Sequence, residues 1–174
     1  PGGYPGYVNL CNSTQIGNIV KHYAANNQET ARGSTSANVT ERALREIYLK
    51  AFGMVVADAD PLTVMSSYNC LNGEHTSVKR ELLTDILRGE FGFEGFVMSD
   101  GVAIDQLDAV TGDRCASGAL ALNAGVDMGL WDTGFQMLEE ALERGLVSEE
   151  RINEACKRIL TVKFRRGLFE NPYL

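Results

Sequence analysis

Apolar and polar positions run along this chain in two rhythms. Four short apolar runs, residues 19–25, 63–70, 95–100 and 124–130, each end in polar or turn-forming residues and predict strands. Between them the apolar positions recur at helical period. The clearest face carries Leu44, Ile47, Tyr48, Ala51, Phe52, Val55, Val56 and Ala59, with Thr40 as its N-cap and Pro61 just past its end. Further helices are predicted over about 79–91, closed by Gly92, about 114–123, and about 135–144, closed by Gly145. A last helix starts after Ser148, with Glu149 and Glu150 in its first turn, where they complement the helix dipole. It continues through Ile152, Ala155, Ile159 and Leu160 to about Arg166, before Gly167.

Alternation of strand and helix predicts an α/β fold with parallel strands and right-handed helical crossovers. About four such β/α units make half of a (β/α)8 TIM barrel, whose usual length is about 250 residues. An open four-stranded α/β sheet fits the same pattern. No glycine-rich phosphate loop follows any strand, so a nucleotide-binding fold finds no support.

The 174 residues suffice for one packed domain. A net charge of -7 would repel phosphate, which argues against nucleic acid or an anionic membrane surface as partner. No apolar run approaches the length of a membrane span. The four cysteines, Cys11, Cys70, Cys115 and Cys156, are scattered with no C-x-x-C pair, so no metal site is expected of them. Cys156 is placed on an apolar helix face. Free buried thiols point toward a reducing compartment, such as a bacterial cytoplasm. The Asn-x-Thr triplets at Asn12 and Asn38 are common by chance. The opening stretch, 1–6, reads as loop, and the chain as the middle of a longer polypeptide, with 1–18 as a lead-in.

Every predicted strand presents polar groups at or near its end: Lys21-His22, then Ser67-Tyr68-Asn69, then Ser99-Asp100, then Asp127. Each has a plainer reading. Asp100 could cap the following segment or start a turn, and His22 could be a satisfied core histidine. Tyr68 could be a packing aromatic, and Asp127 is expected to accept hydrogen bonds from loop amides. Taken together, amide, imidazole, ammonium, phenol and carboxylate groups on one face suit a neutral, hydroxyl-rich ligand such as a sugar. A serine hydrolase would need a G-x-S-x-G elbow, and a zinc site more than the two distant histidines His22 and His75.

Several ordered strings now bear on the choice. They are Lys21-His-Tyr-Ala-Ala-Asn-Asn-Gln-Glu29, Glu41-Arg-Ala-Leu-Arg-Glu-Ile-Tyr-Leu49, Val64-Met-Ser-Ser-Tyr-Asn69 with Asn72-Gly73, and Leu82-Leu-Thr-Asp-Ile-Leu-Arg88 leading to Gly92-Phe-Glu-Gly-Phe-Val-Met-Ser-Asp100. With Arg158-Ile-Leu160 and Gly167-Leu-Phe-Glu170, they closely resemble glycoside hydrolase family 3 over nearly the whole chain from about Ile19 onward. The Ala-Asn-Asn-Gln-Glu run looks most like the bacterial β-glucosidases.

The resemblance implies that residues 19–170 are the second half of that family's N-terminal barrel domain, with 171–174 starting an inter-domain linker. It implies a retaining, exo-acting β-glucosidase that removes terminal nonreducing β-D-glucosyl residues through a covalent glycosyl-enzyme intermediate. Asp100 matches the nucleophile. Lys21 and His22 match the pair that binds the sugar hydroxyls, Tyr68 a tyrosine beside the nucleophile, and Met65 an apolar residue of the same subsite. A nucleophilic aspartate works as the carboxylate, a form that donors such as Lys21 or Tyr68 would favour.

Three departures stand out. The family commonly has an aromatic residue directly after the nucleophile, where this chain has Gly101; Trp131, after the fourth predicted strand, could lie near the same mouth, which the sequence does not show. The first barrel half is missing. So is the acid/base glutamate, which in the family's β-glucosidases comes from a second domain; Glu29 and Glu74 are the only nearby carboxylates. The N-acetylglucosaminidase branch uses an Asp–His pair in the loop after Lys-His, and none occurs between His22 and Thr40. The expected partners are therefore a β-glucoside or oligosaccharide substrate and the missing barrel half and C-terminal domain of the same polypeptide. Alternatives are a β-xylosidase or other exo-glycosidase of the family, or a non-catalytic sugar-binding half barrel.

Overall fold

The computed structural model describes residues 17–170 and Pro172; Cys11, Asn12, the 1–6 loop, most of the lead-in and nearly all of 171–174 lie outside the described residues. Six strands are present among them: β1 (Ile19–Tyr23), β2 (Ser36–Ala37), β3 (Thr63–Ser66), β4 (Cys70–Leu71), β5 (Glu74–His75) and β6 (Phe96–Met98). β1, β3 and β6 form a parallel sheet in the order β1-β3-β6, with Ile19 opposite Thr63, and Met65 opposite Met98. Parallel neighbours joined by helical crossovers are what the alternating pattern implied.

The fourth expected strand, 124–130, does not form. It contributes a single parallel bridge, Met98 to Met128. The cause is local: Val97 N donates to the Asp127 carboxylate at 3.0 Å, where a ladder would offer a backbone carbonyl, and Gly125 turns with φ 128°. The α/β parallel sheet thus stands with three strands. The predicted second strand, 63–70, is also divided. It yields β3, then a break at Ser67-Tyr68-Asn69, then β4, which joins β2 and β5 in a small second sheet that the apolar pattern did not announce.

The first helical segment begins as expected, with Thr40 Oγ1 accepting from Ala43 N at 3.2 Å. Its face differs from the predicted one. Between the α-helices Glu41–Ala43 and Lys50–Ala59 lies a π-helical turn, Leu44–Tyr48, in which Leu49 N reaches Leu44 O. The wider turn puts Leu44 and Leu49 on the buried side and carries Ile47 out to 67% exposure. A π-helix also spans Glu81–Glu90, and its Leu82, Leu83, Ile86 and Leu87 are buried against β3, β6 and Tyr23 in the main core. The predicted helix at 114–123 appears as Arg114–Ala124, capped by Asp113. That at 135–144 opens with a 3-10 stretch, Thr133–Met137, before Leu138–Glu143. The last helix, Glu149–Arg165, is capped by Ser148 as expected.

A second core holds Cys115, Ala119, Leu122, Ala141, Val147 and Ala155. It is closed by two glycines: a Cβ on Gly118 would stand 2.2 Å from the Gly134 carbonyl oxygen. Cys70, Cys115 and Cys156 are free thiols. Cys156 is exposed, because the helix turns Arg151, Ala155 and Arg158 inward instead. Asp127 receives more than loop amides: Arg88, Arg151 and Arg158 reach its fully buried carboxylate at 2.7, 2.8 and 2.9 Å. Burial lowers the Arg88 pKa to about 10, with the Asp127 charge opposing the shift. This is a structural ion cluster that ties the Glu149–Arg165 helix to the sheet.

Candidate active site

Parallel strands bring their C-terminal ends to one edge, so residues far apart in sequence meet there. β1 brings His22, the break after β3 brings Tyr68, and the end of β6 brings Asp100. His22 Nε2 lies 3.4 Å from Asp100 Oδ2, and the Asp100 side chain is 16% exposed, so it is reachable but largely enclosed. Asp100 Oδ1 accepts from Gly101 N at 2.8 Å, which fixes the carboxylate plane and leaves the other oxygen to His22. The plainer reading, a carboxylate closing its own turn, is therefore true of one oxygen only.

The Tyr68 hydroxyl donates to the Gly101 carbonyl at 2.5 Å. Burial, and then the negative charge of Asp100, raise its pKa above 10.0, while Arg32 pulls the other way; the phenol is a neutral donor at ordinary pH. Met65 is buried on β3, opposite Met98 and two residues upstream of the edge where Asp100 sits. Lys21 is exposed beside His22, and its ammonium makes no hydrogen bond or ion pair among the described residues. Of the expected set, Tyr68, His22 and Asp100 are joined through direct contacts or through Gly101. Lys21 stands at the same strand end, and Met65 lies beneath.

Two further groups shape this edge. The Arg32 guanidinium lies 4.8 Å over the Tyr68 ring and 3.0 Å from Glu29 Oε2. The i, i+3 spacing of Glu29 and Arg32 could have suggested that pair; the stacking on Tyr68 has no sequence signal. Glu74 is likewise engaged, 2.9 Å from Lys79 Nζ.

The second group is Asp132. Its carboxylate accepts from Ser99 Oγ, from Ile104 N at 2.8 Å and from Asp105 N at 3.2 Å, and so clamps both sides of the Asp100 turn. Burial raises its pKa, partly offset by these donors. Asp105 in turn accepts from Thr133 N and Gly134 N, each at 2.9 Å. Burial alone would raise the Asp105 pKa, but these amides with Thr133 Oγ1 and Arg114 hold it below the usual range. The link between Ser99 and Asp132 is invisible in sequence, since it depends on the folded approach of two loops. Among the described residues no group of three or more His, Cys, Asp or Glu is arranged to hold a metal ion. A fixed carboxylate beside neutral and cationic donors in a partly enclosed edge can attack an electrophilic carbon or bind hydroxyls.

The model of the glycosyl hydrolase family 3 N-terminal domain matches residues 6–162. Beta-glucosidase B of Emericella nidulans is 39% identical over 170 residues, covering 95% of this chain and 19% of its own length. An exo-alpha-(1->6)-L-arabinopyranosidase of Bifidobacterium longum is 47% identical over 123 residues, 71% of this chain and 15% of its own. Among solved structures, beta-glucosidase 3B of Thermotoga neapolitana in complex with glucose superposes with a TM-score of 0.76 at 40% identity, covering 90% of this chain and 22% of that one. The chain thus spans about a fifth of the length of the relatives it matches.

Proposed function

The chain belongs to glycosyl hydrolase family 3, and on that premise we propose that it is the nucleophile-bearing segment of a retaining exo-β-glucosidase. In this reading residues 19–170 are the second half of a (β/α)8 barrel, 1–18 lead into it and 171–174 begin a linker. The observation that carries the proposal is the His22–Asp100 pair, 3.4 Å apart across the ends of β1 and β6, with Tyr68 anchored to the next residue.

The chemistry follows from that arrangement. An Asp100 oxygen bonds to the anomeric carbon of a terminal β-D-glucosyl residue as the glycosidic C–O bond breaks, and an acid carboxyl gives its proton to the leaving oxygen. Water then loses a proton to the same carboxyl and attacks the anomeric carbon, which frees glucose and regenerates the Asp100 carboxylate. Lys21 and His22 hold sugar hydroxyls through contacts that tighten in the oxocarbenium-like transition state, and Met65 provides an apolar wall. No cofactor takes part. Glu29 and Glu74 are each held by a cation of their own, so we assign the acid to another domain of the polypeptide, about 5–5.5 Å from Asp100 when assembled.

The test is to incubate the full-length protein with a 2-deoxy-2-fluoro β-glucosyl fluoride and map the label by peptide mass spectrometry. Attachment at Asp100 is expected, and attachment elsewhere sinks the assignment. Tight glucose binding with no label would instead favour a sugar-binding role. The Bifidobacterium relative, named for a pentopyranoside, gives a second reading of the sugar. A panel of aryl glycosides decides it: kcat/KM highest on the β-glucoside supports the first reading, and highest on a pentoside the second.

A further inference from the structure

We propose that the cavity between the end of β1 and the small sheet is a second binding site, which takes a single neutral pyranose. None of Lys21, His22, Met65, Tyr68 or Asp100 lines it, so the inference does not rest on the role of Asp100. The cavity measures about 210 Å³. At about 30 Å³ per water it has room for a cluster of solvent or for one small ring, but not for a drug-sized molecule. No lining side chain is charged, so recognition by ion pairing is excluded and a neutral ligand fits.

The polar groups of the cavity stand in two tiers. At its floor Asn69 is 2% exposed. Its Nδ2 donates to the carbonyls of Ala24 and Cys70 at 3.3 and 3.0 Å, which fixes the orientation of the amide. Oδ1 is left as a buried acceptor with no hydrogen-bond partner among the described residues, and the Oδ1 of half-buried Asn26 is another. Buried acceptors without donors are costly, and a ligand that brings the donors removes that cost. At the rim the balance is reversed. Ser36 Oγ donates to Asn38 Oδ1 at 2.8 Å, so the Asn38 amide has its NH2 group to offer, beside the exposed amides of Asn27 and Gln28. A ligand that meets acceptors on one side and donors on the other must do both, and hydroxyls do. Ala37, Val39 and Tyr48 supply an apolar wall, which suits the C–H face of a sugar ring. That wall is fixed within the fold: β2 pairs with β4, Gly73 N donates to Ser36 Oγ at 2.9 Å, and Val39 N donates to Asn72 Oδ1 at 2.8 Å. A preformed wall loses little freedom on binding.

The experiment follows hydrogen exchange of the full-length protein by mass spectrometry on the segment 35–39, with glucose or cellotriose added. The protein is first treated with the fluoro sugar, so that its nucleophile is already occupied. Glucose should protect 35–39 saturably, with a dissociation constant on the order of millimolar. Protection by cellotriose alone would support the same site as the seat of a distal unit of an oligosaccharide. The paired change Asn27→Ala with Gln28→Ala should weaken protection about tenfold, and Ala37→Leu, which fills the cavity, should abolish it. Asn27 and Gln28 are exposed, so the paired variant keeps the fold even where Ala37→Leu loses it. Both should hold kcat/KM on an aryl glucoside within about twofold of the parent, as independent sites do. No protection by either sugar overturns the proposal, and so does protection that survives the paired change. Protection and kcat/KM that fall together would make the cavity part of the Asp100 edge, and overturn it too. Failure of the fluoro sugar to label Asp100 removes the catalytic reading alone and leaves this measurement standing.

Discussion

Tyr68 shows how a single side chain couples two strands at the candidate site. Its hydroxyl holds the Gly101 carbonyl at 2.5 Å, its ring carries Arg32, and its pKa is raised by burial and by the Asp100 charge. Because the shift is upward from 10.0, the phenol keeps its proton throughout neutral pH, and it contributes no titration to an activity profile below that value. Tyr68→Phe removes the donor and leaves the Gly101 carbonyl without it. We expect a loss of kcat/KM on the order of 10–100-fold in the full-length enzyme, with the rise and fall of its pH profile unmoved. A profile whose alkaline limb shifts in Tyr68→Phe would show that the phenol ionises in catalysis, contrary to this account. At this scale sequence reasoning named the side chains that meet at the strand edge but not their supports. Asp132, thirty-three positions from Ser99, has no local pattern that marks it as the clamp of the Asp100 turn.

At the scale of the element, the small sheet and its 3-10 extension define a pH response. His75, at the end of β5, accepts from Ser77 N through Nδ1 at 3.2 Å, which caps the 3-10 turn Thr76–Val78. Burial lowers its pKa from 6.5 to about 4, with the Tyr68 carbonyl opposing. Between those two values the unfolded chain binds a proton that the folded chain resists, so stability falls as pH drops through that window and levels off below it. The full shift corresponds to on the order of 3 kcal/mol. Chemical denaturation of the protein at pH 7 and at pH 4.5 should show this loss, and His75→Gln should flatten it; parallel pH dependences in the two proteins would refute the assignment. Helix caps such as Thr40 and Ser148 were legible because capping is a one-turn event that needs only its own residues, whereas Asp113 showed as a cap only in the structure. The π turn at Leu44–Tyr48 was not. A heptad-like apolar pattern assumes 3.6 residues per turn, and tertiary packing selected Leu49 over Ile47 for the core.

At the scale of the whole molecule, the sheet stops at β1, which pairs only with β3 among the described residues, and Ile19 on that strand is 45% exposed. Ile47, Met54 and Val110 add exposed apolar surface elsewhere. An open edge beside apolar groups invites pairing with another chain. Expressed alone, this segment should associate and should show little hydrolysis of aryl glucosides. Sedimentation that gives a monodisperse monomer, together with a single cooperative thermal transition, would contradict that expectation. The sequence by itself determined the α/β class, the parallel direction of β1, β3 and β6, the caps Thr40 and Ser148, and the strand-end positions of His22, Tyr68 and Asp100. Those follow from periodicity and local geometry, which act over a few residues. Tertiary structure alone decided that 124–130 makes a bridge rather than a strand, that Asp127 binds three arginines, and that Trp131 covers Gly101. Each of these depends on side chains from distant segments competing for the same donors or the same space, and that competition exists only once the chain has folded.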